Sequence, residues 1–121
     1  MLTSYRELVV WQKAIELALL VYRPSEEFPK REIYGLAAQI RRATVSIPSN
    51  IAEGYGRGSR REYVQFLYVA QGSLKEMETQ TILSEKLTFA TPAQAKRVLD
   101  ASEVVGKMLG GLIRSLKTKD E

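Results

Sequence analysis

The apolar positions of this chain fall into four stretches of helical spacing, and no stretch alternates as a strand would. In the first, from about Arg6 to Tyr22, Leu8, Trp11, Ile15, Ala18 and Tyr22 share one face. Arg23-Pro24-Ser25 is expected to end it, because a proline disfavours helical geometry in the residue before it. The second begins near Glu32. Ile33, Leu36, Ile40, Ala43, Ile47, Asn50 and Gly54 recur by threes and fours, a heptad-like seam. Pro48 lies inside this seam, removes a backbone donor and opposes the carbonyl of Thr44, so a kink or break is predicted there. Ser46, Ser49 and Asn50 surround it and offer partners to freed backbone groups. The helix is expected to close at Gly54, Gly56 or Gly58 through a left-handed glycine.

Two capping boxes set the second half of the chain. Ser59-Arg60-Arg61-Glu62 opens a third helix that runs to about Lys86, and Thr91-Pro92-Ala93-Gln94 opens a fourth with proline in its favoured first position. Tyr63, Phe66, Leu67, Ala70, Leu74, Met77, Thr81 and Ser84 mark the inner side of the third. Gly72-Ser73 offers small residues for the close approach of another helix. Val98, Val105, Met108, Leu109, Leu112 and Leu116 mark the fourth, which weakens at Gly110-Gly111 and frays into Thr118-Lys119-Asp120-Glu121. Four helices joined by short loops predict an all-α, antiparallel up-down-up-down four-helix bundle, one domain over residues 1–121 with its second helix kinked at Pro48.

Charge concentrates the interest. The chain carries +4 overall. Between Lys30 and Arg61, seven cations (Lys30, Arg31, Arg41, Arg42, Arg57, Arg60 and Arg61) face only Glu32 and Glu53, so that segment alone exceeds the total. A regional excess favours an anionic partner, RNA or DNA, although a solvated helical face would also read this way. Catalysis is poorly served: with no histidine and no cysteine the chain lacks the commonest general base and two nucleophile schemes, and it lacks the histidines a di-iron bundle needs. Glu76, Glu78 and Glu85 read as solvated charges. No cofactor or metal is expected, and no membrane contact, since no apolar run approaches a span. The N-terminus has no secretory pattern, which makes a cytoplasmic location the expectation.

The sequence QIRRATVSIPSNIAEGYGR closely resembles the signature of the four-helix-bundle proteins encoded by intervening sequences in bacterial 23S rRNA genes. LVVWQKAIELA, FPKREIYGLAAQIRRA and FLYVAQGSLKEMETQ extend the likeness over nearly the whole chain. The resemblance implies a small standalone bundle without known enzymatic activity, typically a homopentamer around a central channel. Accessory proteins of diversity-generating retroelements look like distant relatives, and those bind nucleic acid and a reverse transcriptase.

Within Arg41–Glu62 two groups of residues carry candidate roles. Gly54-Tyr55-Gly56-Arg57-Gly58 precedes a helix N-terminus ringed by Arg57, Arg60 and Arg61, where free backbone donors attract anions. It is neither a Walker loop nor a dinucleotide fingerprint. A plain turn with solubilising arginines is the competing reading. Arg41 and Arg42 are the next candidates for nucleic-acid contact. Arg42, Ser46, Ser49 and Glu53 form a polar stripe that suits either such a face or a subunit interface. Asn50 resembles the seam asparagine that fixes register in coiled coils, or else answers the backbone at Pro48. Tyr55, Tyr63 and Tyr68 are candidate stacking platforms, with core or interface packing favoured for Tyr63 and Tyr68, and Trp11 reads as an anchor between helices. The expected function is therefore a non-enzymatic, oligomeric, basic bundle that binds nucleic acid, with a protein-interaction scaffold serving an unidentified partner as the alternative.

Overall fold

A computed structural model describes residues 2–118, and Lys119-Asp120-Glu121 of the expected fraying end lie outside them. The described residues form four helices: α1 (Val9–Ser25), α2 (Leu36–Tyr55), α3 (Arg60–Lys86) and α4 (Pro92–Thr118). Short 3-10 turns precede α1 at Tyr5–Glu7 and α2 at Lys30–Glu32. Each helix packs on the next and α4 closes on α1, while neither diagonal pair brings Cα atoms within 8 Å. This ring of neighbours is the antiparallel four-helix bundle that short loops dictate.

The core is built from one stripe of every helix, and in α1 it is not the expected face: Leu8, Trp11, Ile15 and Ala18 are half-buried and Tyr22 is exposed, because the closer-packed side is the adjacent one of Val10, Ala14, Leu17 and Val21. Ala14, Leu17 and Val21 of α1 meet Ile40, Ile47 and Ile51 of α2, Leu67, Leu74 and Met77 of α3, and Val98, Val105, Leu109 and Ile113 of α4. Full burial of such side chains contributes about 1.5–3 kcal/mol each. The helix starts follow the capping residues. Ser59 Oγ accepts from Glu62 N at 3.1 Å, and Thr91 and Gln94 exchange bonds, Gln94 N to Thr91 Oγ1 at 3.1 Å and Thr91 N to Gln94 Oε1 at 3.0 Å.

Several boundaries differ from expectation for local reasons. α1 starts at Val9 because Ser4 caps a separate 3-10 turn, with Glu7 reaching back to it, and Leu8 is extended. Pro24 falls inside the last turn of α1 instead of ending it; beside it the buried Ser25 donates from Oγ to Tyr22 O at 2.7 Å. α2 starts at Leu36, not near Glu32, because Gly35 (φ −106°, ψ −117°) departs from helical geometry. Glu32 Oε1 then accepts from Leu36 N at 2.9 Å, a cap supplied from four residues back. Ile33, expected in the seam, is 52% exposed as a result. Pro48 is buried, and α2 runs past it without a break. Glu78, expected to be solvated, accepts hydrogen bonds from the fully buried Ser102 hydroxyl and from Lys75 Nζ.

The left-handed cap also moved. No glycine among the described residues has positive φ, and α2 closes on Gly56 at φ −77°. The left-handed residue is Thr88 (φ 63°), which ends α3. Its N–H reaches Glu85 O and that of Phe89 reaches Ser84 O, both at 2.9 Å, the pairing of a Schellman motif.

Two contacts set the spacing of α2 and α3. A Cβ on Gly54 would lie 2.7 Å from Phe66 Cβ and 3.3 Å from Tyr63 O. Two turns back along α2, Ser46 Oγ and Ser73 Oγ share a hydrogen bond of 2.8 Å. Gly72, expected at the close approach, has nothing within 4 Å of where its Cβ would stand. Urea denaturation should therefore separate the two glycines. Gly54→Ala should lose about 1–3 kcal/mol through overpacking, whereas Gly72→Ala should gain about 0.5–1 kcal/mol from helix propensity. Equal effects at the two positions would contradict this packing.

Candidate nucleic-acid interface

The turn between α2 and α3 stands at one end of the bundle, and Gly56 through Glu62 are all exposed. Its glycines do not form a cradle. Gly56 donates to Ala52 O and Glu53 O at 3.1 and 3.2 Å, and Gly58 has open space around it. The side chains provide the chemistry. Arg57 folds back: its guanidinium pairs with Glu53 Oε2 at 2.9 Å and lies 4.9 Å from the Phe66 ring centroid. Glu62 turns toward the cap, accepting from Ser59 Oγ at 3.3 Å. Arg60 and Arg61, on the first turn of α3, line a shallow depression of about 620 Å³ together with Val64, Gln65, Tyr68 and Lys117.

Lys117 and Tyr68 are the residues that sequence reasoning missed or misplaced. Lys117 arrives from the last turn of α4, with Nζ 3.2 Å from Tyr68 Oη. Tyr68 was expected to pack in the core or at an interface; it is 47% exposed, which removes the core reading. It lies seven residues after Arg61, two helical turns along the same face, and that spacing is the one sequence signal that groups them.

Arg41 and Arg42 do not join this group. Arg42 precedes the end of α2 by 13 residues, which at 1.5 Å per residue separates them by about 20 Å. Arg41 is an internal tie: its Nε donates to Ser25 Oγ at 2.8 Å and its guanidinium lies 5.3 Å from the Tyr22 centroid. Arg42 is exposed, and Ser46, Ser49 and Glu53 follow it along the outer ridge of α2. Ser46 leans toward α3 through Ser73, and Ser49 toward α1, where it lines a groove with Tyr5, Trp11, Ile15, Ala18, Val45, Pro48 and Ala52. Asn50 Nδ2 donates to Ser46 O at 2.7 Å and to Ser46 Oγ at 2.8 Å. It thus serves the Ser46 carbonyl rather than that of Thr44, the one deprived of its donor by Pro48.

Residues 6–111 match the family described as 23S rRNA-intervening sequence protein. The chain belongs to that family. No curated protein matches it. A crystal structure at 1.70 Å of a protein with unknown function, from the S23 ribosomal protein family of Bacteroides thetaiotaomicron, is similar at TM-score 0.80 and 24% identity. The match covers 86% of this chain and 97% of that one, and it bears on the fold alone. No described helix of this family member is long and apolar enough to cross a membrane.

The other tyrosines of the turn are structural. Tyr55 Oη donates to Leu2 O at 3.3 Å, and its ring meets Tyr63 edge-on at 6.1 Å. The Tyr63 hydroxyl is buried without a partner, and burial, with a smaller push from Tyr55, raises its pKa to about 12. A raised folded-state pKa means that the native state holds this proton more tightly than the unfolded chain. The associated stability is present below about pH 10, the unfolded value, and is lost as pH climbs toward 12. Tyr63→Phe should flatten the fall in stability over that window and leave neutral-pH stability equal or higher, since it deletes an orphaned polar atom. An unchanged alkaline slope in denaturation curves would contradict the assignment.

Proposed function

We propose that this 23S rRNA-intervening sequence family member is a non-enzymatic cytoplasmic protein that binds structured RNA or DNA through phosphate contacts at the α2–α3 end of the bundle. The observation carrying this reading is the depression at that end, where Arg60, Arg61 and Lys117 come together and, among the described residues, no carboxylate joins the lining. Arg61 and Arg60 are the first contacts. Arg57 contributes from the rim, where its half-exposed pair with Glu53 is worth little and can yield to a phosphate. Arg42, some distance along α2, is a second-rank contact on an extended ligand, and Arg41 supports the fold. Such binding reads backbone rather than sequence.

Salt dependence tests it directly. With about three phosphates neutralised, affinity for an RNA hairpin should fall about 40-fold between about 50 and 200 mM salt. Replacing Arg57, Arg60 and Arg61 together by Ala should remove most of that slope. Binding that is absent, or indifferent to the triple variant, would reject the reading.

The scaffold alternative has its own support in the apolar groove between α1 and α2, where Trp11, Ile15, Val45 and Ala52 are incompletely covered. We assign that groove to self-association, consistent with the homopentamer that the family resemblance implies. Light scattering should return a multiple of 13.7 kDa, and a monomeric mass would overturn the ring.

A further inference from the structure

The depression at the end of the bundle holds something that a phosphate site does not require. Tyr68 presents nearly half of its surface to solvent, while Leu67 and Leu74 on the same helix carry the inward packing. Lys117 does not occupy the ring. An ammonium 3.2 Å from the hydroxyl and 5.7 Å from the ring centroid lies beyond the phenolic oxygen and not above the middle of the ring. Gln65, also lining the depression and exposed, carries an amide with both a donor and an acceptor. A half-exposed aromatic ring, an amide and cations from two helices are the parts that hold one nucleotide: base on the ring, base edge on the amide, phosphate on the cations.

We infer that the Tyr68 depression takes an unstacked base, so that the ligand of this end is single-stranded nucleic acid or an unpaired loop, in preference to continuous duplex. The inference rests on the phosphate-binding reading above and adds a requirement to it. A duplex keeps its bases stacked and offers Tyr68 nothing, whereas a single strand gains the ring as well as the cations. Arg61 and Lys117 then act on the flanking phosphates, and Tyr68 supplies the distinction between strand forms. Because every base has a π-face, the preference is for strand form and not for sequence.

Fluorescence anisotropy with three labelled probes of about 12 nucleotides, oligo(dT), oligo(U) and a mixed-sequence DNA duplex, decides the matter at about 50 mM salt. Tyr68→Ala should weaken both single strands by about 5- to 100-fold and change duplex binding by less than about twofold. Tyr68→Phe keeps the ring and should bind single strands as the unaltered protein does. Arg61→Ala should weaken all three probes. Equal losses for strand and duplex with Tyr68→Ala, or no loss with either, would overturn the stacking site, and if Arg61→Ala still weakened the probes the phosphate reading would survive. Should the unaltered protein bind none of the probes, both would fall. Tyr68 is exposed and outside the core, so circular dichroism of the variants should match that of the parent.

Discussion

The structure depends most on the close antiparallel contact of α2 with α3. Gly54 lets the backbone of α2 come against Phe66 and Tyr63, and the Ser46–Ser73 hydrogen bond holds the same spacing farther along. Once these helices are pinned, the Gly56–Ser59 connection can only project from the end of the bundle. The long return of α4 then brings its last turn to the first turns of α3. A cation near the C-terminus thereby meets two near the middle of the chain, and the basic end is a consequence of how the bundle closes.

Much of this was legible in the residues. The serine cap at Ser59 and the full capping box at Thr91 set where α3 and α4 begin, because a serine or threonine hydroxyl facing a free N–H is a local interaction; at Ser59 the Glu62 carboxylate takes the hydroxyl and not the backbone N–H. The apolar periods gave the core faces of α2, α3 and α4, but in α1 they picked the neighbouring face of Leu8, Trp11, Ile15, Ala18 and Tyr22, while Val10, Ala14, Leu17 and Val21 are the buried residues. What could not be read was non-local or balanced between small terms. Gly35 and the reach of Glu32 delay α2. Packing around Ser25 and within α2 holds Pro24 and Pro48 inside helices that propensity alone would stop. The left-handed cap falls on Thr88, a residue type that ordinarily avoids it, while none of the glycines adopts it. In the candidate site, the arginines were visible as charge, but the meeting of Tyr68 and Lys117, 49 residues apart, follows from topology. Helical spacing alone could not say whether Tyr68 faced the core or the solvent.

The Arg41–Glu62 segment accordingly divides by physical role. Its first part is architecture. Arg41 ties α2 to α1, Asn50 and Ser46 knit α2 to α3, and Pro48 and Ala52 wall an apolar groove. Its second part is a cationic end with few acids, and those few are engaged, Glu53 by Arg57 and Glu62 by Ser59. An apolar flank and a charged end suit different partners, and the proposed function uses each separately: self-association at the first, an anionic ligand at the second.

The proposed nucleic-acid contact lies at this end of the bundle and not on its apolar flank. Backbone and indole NMR during titration with a short oligonucleotide tests it most directly. Shifts concentrated on Gly56–Tyr68 and on the last turn of α4 are the predicted result. Shifts centred on the Trp11 indole and on Val45, or none anywhere, would contradict it.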